Sequence, residues 1–377
     1  MIFGIPKEIR GQERRVGAMP FLVKELVKRG HQVLLETGAG EYCEAPDSRY
    51  ERFGASVVPS AEKLYSQADV ILKVREPKPV EYDLIRPDQA IFAYFHFLNN
   101  PELLKALAAR GCTCLAYDFV EDESGQNPLV IPISHITGQM AVINGAFYLQ
   151  KHNGGRGIVL GRVTGSPPAK VTILGAGNVG KEAAKTAARL GAEVFALDKN
   201  YSRLKEIDTL GISNITTLIY SDEILLDLIK ETDLLISCIQ VYNQPTPKII
   251  TQEMVKTMRP GSVIVEVDID LGGSVETGKM TNHENPTFIV DGVVHYCVSN
   301  ITSTVPIIAS RGISAAMMPY MIEIAEKGLE TALLEDHGLA KGIAIYKGHI
   351  VKPSLAKIAK LPCANLQEKI KELNWQK

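Results

Sequence analysis

Short apolar runs of four to seven residues alternate with stretches in which apolar positions recur at helical spacing. FGIP, at residues 3–6, opens the series as a strand. PFLVKELVKRG (20–30) carries Pro at its start and Gly at its end, with apolar residues at helical spacing between them, and reads as a helix. HQVLLET then reads as a strand, and ADVILKV (68–74) and AIFAYFH (90–96) read as two more, buried on both faces. NPELLKALAARG is a helix with Asn100 as its N-cap, and CTCLAYD follows as a strand. This alternation predicts a mostly parallel sheet with helices on both faces.

A Gly-rich stretch, HNGGRGIVLGRVTGSPP, interrupts the pattern with glycines at 154, 155 and 157 and reads as an inter-domain or surface loop. A second alternating block starts at Lys170. VTILGAGNVG is a strand ending in a glycine turn, KEAAKTAARLG a helix stopped by Gly191, and AEVFALD the next strand. DLLISCI and SVIVEVD continue the series. Past residue 300 the pattern turns helical, with ISAAMMPYMIEIAEKGLETALL the longest candidate. The chain of 377 residues fits two or three domains.

Composition removes several function classes. Hydrophobic residues at 45% and charged residues at 22% describe an ordinary globular protein, not a disordered one. A formal charge of -2 gives no global attraction to nucleic acid or anionic membrane. No apolar run is long enough for a membrane span, and the N-terminus lacks the apolar stretch of a secretory signal. The six cysteines are scattered, with neither a disulfide framework nor a zinc pattern. Cys112 and Cys114 share one strand face and are expected to be buried free thiols. A cytoplasmic protein without a metal is the expectation.

The chemistry starts at Gly175, Gly177 and Gly180 in G-A-G-N-V-G. The motif follows an apolar strand and opens a helix, and Asp198 ends the next strand 18 positions after Gly180. Gly175 permits the tight turn, Gly177 lets backbone approach a pyrophosphate, and Gly180 lets helix and strand pack closely. Asn178 and Val179 stand in the same turn, whose helix N-terminus presents N–H groups to phosphate. Asp198 can accept hydrogen bonds from a ribose 2′-hydroxyl and would repel a 2′-phosphate, so NAD is favoured over NADP. Lys199 and Arg203 lie close by in sequence. They are surface charges, soften that preference, or line the adenosine pocket.

From here the sequence resembles the alanine dehydrogenase family, related to the α-subunit of proton-translocating transhydrogenase. The likeness runs through GIPKE, ERRV, RGHQVLLETGAG, ADVILKVREP, NGGRGIVLG, PPAKVTILGAGNVG, PGSVIVEVDIDLGG and DGVVHYCVSN, in that order along the chain. It implies an α/β fold of two Rossmann-like, doubly wound domains with a cleft between them. The substrate domain would comprise residues 1–128 and 301–377, and the NAD-binding domain 129–300. It further implies NAD as cofactor, a homohexamer, and the reversible oxidative deamination of L-alanine to pyruvate and ammonia. Matched residue by residue, the resemblance makes Arg15 the group that grips the substrate carboxylate. It makes His96, with a pKa expected near working pH, the acid/base, and Asp270 a catalytic partner in the cofactor end of the cleft. Ser134 matches a cofactor contact.

The chain also departs from the family. L-K-V-K-E-P becomes L-K-V-R-E-P, placing Arg75 where the family has an active-site Lys. Arginine keeps the charge but cannot give up its proton. Arg75 is therefore expected to bind substrate rather than shuttle a proton, and Lys73, one pitch away, is a poor replacement. N-M-P-G-A-V-P-R-T-S-T becomes N-I-T-S-T-V-P-I-I-A-S over 300–310, a loop expected at the nicotinamide and substrate. RVALTP becomes RVGAMP, and S-E-V-A-G-R becomes S-H-I-T-G-Q, introducing His135 and Gln139. These edits read as falling in the substrate half, with the cofactor half intact. Alanine dehydrogenase is the first expectation. The alternatives are an NAD-dependent amino-acid or imine oxidoreductase for another substrate, and a non-catalytic NAD-binding paralogue.

Overall fold

The computed structural model describes residues 1–240 and 246–374. Two compact units form, one from residues 1–133 with 303–377 and the other from residues 134–302. In chain order the first unit supplies β1 (Ile2–Ile5), β2 (Gln32–Glu36), β3 (Ser56–Val58), β4 (Val70–Arg75), β5 (Ala90–Tyr94) and β6 (Thr113–Ala116). The second supplies β7 (Lys170–Leu174), β8 (Glu193–Asp198), β9 (Ile215–Ile219), β10 (Leu234–Ser237), β11 (Val263–Glu266), β12 (Thr287–Val290) and β13 (Val293–Tyr296). Returning to the first unit, the chain adds β14 (Ile343–Tyr346) and β15 (His349–Ile350).

The first sheet has the order β15-β14-β6-β5-β4-β1-β2-β3. Its strands run parallel, apart from β14, antiparallel to β6, and β15, antiparallel to β14. The chain winds outward from β1 to β3 and then crosses back to β4, so the strand order reverses between β1 and β4. Open α/β sheets bind ligands beyond the carboxyl ends of the strands at such a point. The second sheet, β12-β13-β11-β10-β7-β8-β9, reverses between β7 and β10. Each unit is therefore doubly wound.

The apolar runs follow from burial on both faces. Val70, Leu72 and Val74 of β4 join the core cluster on one face of the first sheet, and Ile71 joins the cluster on the other. Leu234 and Ile236 of β10 divide from Leu235 in the same way. Cys112 and Cys114 are buried and unbridged, with sulfurs 3.7 Å apart. Asn100 caps its helix as expected, its Oδ1 accepting from the Leu103 amide at 3.1 Å.

Several elements differ from the sequence expectation. The long C-terminal helix is two helices, Pro306–Lys327 and Leu329–Glu335, separated at Gly328, whose φ of 80° leaves the helical region. The region past residue 300 is not purely helical, because IAIY and HI close the first sheet as β14 and β15. The hairpin β12–β13 turns through Asp291 and Gly292, both at positive φ, a D-G pair suited to a two-residue hairpin turn. The 300–310 segment is a 3-10 turn, Ile301–Thr304, followed by the start of the Pro306–Lys327 helix, not a loop. No helix among the described residues is long and apolar enough to cross a membrane.

Candidate active site

Neighbouring strands of the first sheet end at the same level and present a cluster of polar side chains. β4 ends on Arg75, in register with Tyr94 at the end of β5. β5 stops there, so His96 lies two residues beyond the strand rather than at its end. Its φ of 51° is in the left-handed region, a conformation that costs on the order of 1 kcal/mol outside glycine.

Arg75 Nη1 lies 2.9 Å from His96 Nε2. A guanidinium has donors only, so Nε2 accepts and the neutral ring carries its proton on Nδ1. Burial, followed by the guanidiniums of Arg75, Arg10 and Arg15, pushes the His96 pKa down to about 3. This corrects the expectation of a group titrating near working pH: His96 is an uncharged hydrogen-bond acceptor. Arg75 Nε sits 3.1 Å from Glu76 Oε2, and Glu76 Oε1 is 3.1 Å from Arg10 Nη1.

Arg15, 3% exposed, already holds a carboxylate. Its Nε and Nη2 donate to the two oxygens of Glu13 at 2.8 and 2.6 Å. Burial pulls the Arg15 pKa down, but the adjacent Glu13 outweighs it and the net shift is upward. The expected grip on a substrate carboxylate must therefore be shared with Glu13. The Arg15 loop is tied to the Pro306–Lys327 helix: the Val16 amide donates to Ser310 Oγ at 3.0 Å and the Met19 amide to Ser314 Oγ at 2.9 Å. Ser310, the last residue of the edited 300–310 segment, thus supports the Arg15 loop. A Cβ on Gly17 would lie 2.0 Å from the Leu72 carbonyl oxygen, so the loop can run this close to β4 only without a side chain there.

Lys73 is fully buried on β4 and points into a separate network. Its Nζ donates to Glu81 Oε1 at 2.8 Å and lies 3.4 Å from Glu8 Oε2. Tyr65 also donates to Glu81 Oε1, at 3.0 Å, and Glu8 Oε1 accepts from the Val74 amide at 2.7 Å. Lys73 braces the strand that carries Arg75 and is no substitute for it. Asp118, just past β6, has its carboxyl raised to about 6 by burial, against the pull of Lys352 and Arg75.

In the second unit the glycine motif makes the turn that its spacing requires. Gly175 has φ 99°, and a Cβ there would meet the Cys238 carbonyl oxygen at 2.6 Å. A Cβ on Gly180 would lie 1.8 Å from Gly175 O, so only glycine lets the Asn178–Arg189 helix sit against β7. Space opens over Gly177, where the nearest atom to a Cβ is Arg203 Nη1 at 4.0 Å. Asn178 and Val179 begin the helix, and no side chain caps its N-terminus. This open cradle at a helix N-terminus fits the pyrophosphate of a dinucleotide. Asp198 at the end of β8 accepts from the Ala176 and Asn200 amides at 2.7 and 2.8 Å. Arg203, half exposed, lies 3.7 Å from its carboxylate. Ser134 is buried within the first turn of the helix Ile131–Tyr148.

His135 and Gln139 change the reading of the edits. Gln139 donates to Glu182 on the Asn178–Arg189 helix at 3.1 Å. A Cβ on Gly138 would lie 2.5 Å from the Val179 carbonyl oxygen. The S-H-I-T-G-Q edit therefore packs against the glycine-motif helix, and the cofactor half is not free of changes.

Asp270 lies in the 3-10 turn Ile269–Leu271 after β11. Sequence reading passed over its neighbours. Asp268 has its carboxyl raised to about 7 by burial, then by Asp270 and Glu266. Glu266, fully buried, accepts the Ser274 and Val275 amides at 3.0 and 2.9 Å. The spacing V-D-I-D carried the signal for Asp268, whereas E-R-R, which reads equally well as surface charge, carried none for Glu13. Arg15, Arg75 and His96 thus form one group in the first unit, while Ser134, Asp198, Arg203, Asp270 and the glycine motif belong to the second.

Comparison with known proteins matches residues 4–137 to the alanine dehydrogenase/PNT N-terminal domain and residues 141–353 to the alanine dehydrogenase/PNT C-terminal domain. An alanine dehydrogenase of Methanococcus maripaludis is 39% identical over 99% of this chain and 100% of its own length. One from Bacillus subtilis is 40% identical over 95% of this chain and 94% of its own. A solved L-alanine dehydrogenase superposes with a TM-score of 0.90 at 42% identity, covering 95% of this chain and 99% of that one.

Proposed function

Because the chain belongs to the alanine dehydrogenase/PNT family, we propose that it is an NAD-dependent L-alanine dehydrogenase. L-alanine, NAD+ and water give pyruvate, ammonium, NADH and a proton. The observation that carries this reading is the cluster of Arg15, Arg75 and a neutral His96 at the carboxyl ends of adjacent strands. Two guanidiniums suit a carboxylate, and an uncharged imidazole suits a proton acceptor.

The first unit acts as the substrate domain and the second as the NAD domain. Arg75 and Arg15 hold and orient the substrate carboxylate. His96 takes a proton from the water that attacks the substrate imine, and the resulting carbinolamine collapses to the 2-oxo acid and ammonia. Asp270 orients the substrate ammonia or His96. A nicotinamide dinucleotide held by the second unit would supply the hydride acceptor for the substrate Cα. Gly175, Gly177 and Gly180, with Asn178 and Val179, would cradle its pyrophosphate, Asp198 would receive the ribose hydroxyls, and Ser134 and Arg203 would complete the contacts. Asp198 repels a 2′-phosphate, which selects NAD over NADP. Family resemblance supports a homohexamer, and the free cysteines support a cytoplasmic location.

A panel of L-amino acids with NAD+, followed by absorbance of the reduced cofactor, tests the substrate. Alanine gives the highest kcat/KM under this reading. A different best substrate would transfer the chemistry to another amino acid, the second reading that Arg75 favours. No turnover on any member would leave a dinucleotide-binding protein without this activity.

A further inference from the structure

On a doubly wound sheet the two halves of a dinucleotide lie on either side of the strand reversal, which in the second unit falls between β7 and β10. Asp198 ends β8 and marks the adenosine side, so β10 and β11 end on the nicotinamide side. Backbone hydrogen bonds bring these strand ends level. The Cys238 amide donates to the Leu174 carbonyl at 2.8 Å, and the Val267 amide to the Ser237 carbonyl at 3.0 Å. Cys238 packs against the glycine turn, since its carbonyl oxygen is the atom that a Cβ on Gly175 would meet. Asp268 follows Val267 and opens the Ile269–Leu271 turn. Its charge, after burial, pushes the Cys238 thiol up, which places it beside that residue. Asp268 is partly buried, and Asp270 and Glu266 are the charged groups that act on it. Among the described residues no cation and no hydrogen bond to its carboxyl offsets them. Glu266 is fixed behind it by the Ser274 and Val275 amides, and its Oε1 is buried with no hydrogen-bond partner among the described residues. Lys248 draws on Glu266 but gives its hydrogen bonds to the carbonyls of Gly272, Gly273 and Val275.

We propose that Asp268 is a specificity residue for the oxidation state of the cofactor, its carboxylate favouring the cationic nicotinamide ring of NAD+ over the neutral ring of NADH. The inference deepens the NAD-dependent reading and rests on it. Oxidised and reduced dinucleotides share the pyrophosphate and adenosine contacts, so those contacts do not tell the two apart. They differ by one positive charge at the ring, and an anion on that side of the site is the element that discriminates. Partial burial strengthens the effect, because a carboxylate away from bulk water is less screened. The reduced product is bound less tightly than NAD+ as a result, which favours its release in the direction of alanine oxidation. This discrimination is gated by protons. Burial, then Asp270 and Glu266, raises the Asp268 carboxyl to about 7. Above that pH it is charged and selects NAD+, and below it the carboxyl is neutral and the preference is lost. By linkage, NAD+ binding lowers the Asp268 pKa and releases protons, whereas NADH binding does not.

Isothermal titration calorimetry with NAD+ and with NADH, in the absence of alanine, tests this on the full chain and on Asp268→Asn, which keeps the size of the carboxyl and removes its charge. At pH 8, Asp268→Asn is expected to bind NAD+ about tenfold more weakly than wild type and NADH within about twofold of it. Wild type is expected to gain about fivefold in NAD+ affinity between pH 6 and pH 8, with the sign set by a carboxyl that is anionic only above about 7. Asp268→Asn loses that gain. Titrations of wild type at pH 7 in two buffers of different ionisation enthalpy give a second readout, in which NAD+ releases a fraction of a proton and NADH releases none. If Asp268→Asn does not fold, this readout decides alone. An unchanged ratio of NAD+ to NADH affinity in the variant, or equal proton release with the two cofactors, overturns the proposal and leaves the NAD reading in place, since both dinucleotides still bind. Failure of both to bind overturns the NAD reading and the proposal with it. Discrimination in a protein that oxidises a different amino acid upholds the proposal and counts against alanine alone.

Discussion

At the scale of single residues, the decisive feature is a histidine whose charge the fold does not tolerate. Burial and Arg75 push the His96 pKa down to about 3 from an ordinary value of 6.5. A depressed pKa contributes stability above the unfolded value, and that stability is lost as pH falls toward the folded one. The thermal midpoint of wild type is therefore expected to fall as pH drops from about 6.5 toward 4. His96→Gln removes this contribution and falls less over the same window in differential scanning calorimetry. Equal slopes would mean that His96 is freely protonated in the folded protein. Residue types at their spacing pointed to these side chains, but not to their state. Arg15 was legible as a carboxylate binder, while its buried partner Glu13 was not, because E-R-R reads equally well as surface charge.

Between elements, β4 shows why some of the site could be read and some could not. ADVILKVREP announced a buried strand ending in a cation. The brace behind it depends on three-dimensional pairing: Lys73 reaches Glu81 at 2.8 Å and Glu8 at 3.4 Å, residues from a helix and a loop on either side in sequence. Removing one partner from a buried ion network leaves uncompensated charge, at a cost of about 3–5 kcal/mol. Lys73→Ala is expected to lose about that much in chemical denaturation, since Glu8 and Glu81 remain buried behind it. A loss below about 1 kcal/mol would place the network in solvent. The glycine motif was legible almost completely, because each of its glycines answers a local backbone demand. β14 and β15 were not, since their short runs gain meaning only beside β6. The 300–310 segment was misread as a loop because family likeness suggested one, whereas Pro306 at the first helical position signals a helix start.

The whole molecule joins two doubly wound units, each with its strand order reversing near the sheet centre. That architecture was legible from alternation and from resemblance. The distribution of departures was not, since Gln139 engages Glu182 beside the glycine turn rather than the substrate group. Cofactor choice belongs to this scale because it separates the role of one unit from that of the other. Asp198→Asn drops the charge and keeps an oxygen acceptor for only one of the Ala176 and Asn200 amides. The NAD-to-NADP preference in kcat/KM is expected to shrink about tenfold or more, roughly 1.4 kcal/mol, with alanine KM unchanged. An undiminished preference would assign the discrimination to another residue.

The most direct measurement is steady-state oxidation of L-alanine by wild type and His96→Ala, beside calorimetric binding of NAD+ to each. The account predicts that wild type turns over and that His96→Ala loses about 10²–10⁴ in kcat while binding NAD+ with the same Kd. Alanine oxidation at the wild-type rate by His96→Ala would contradict it.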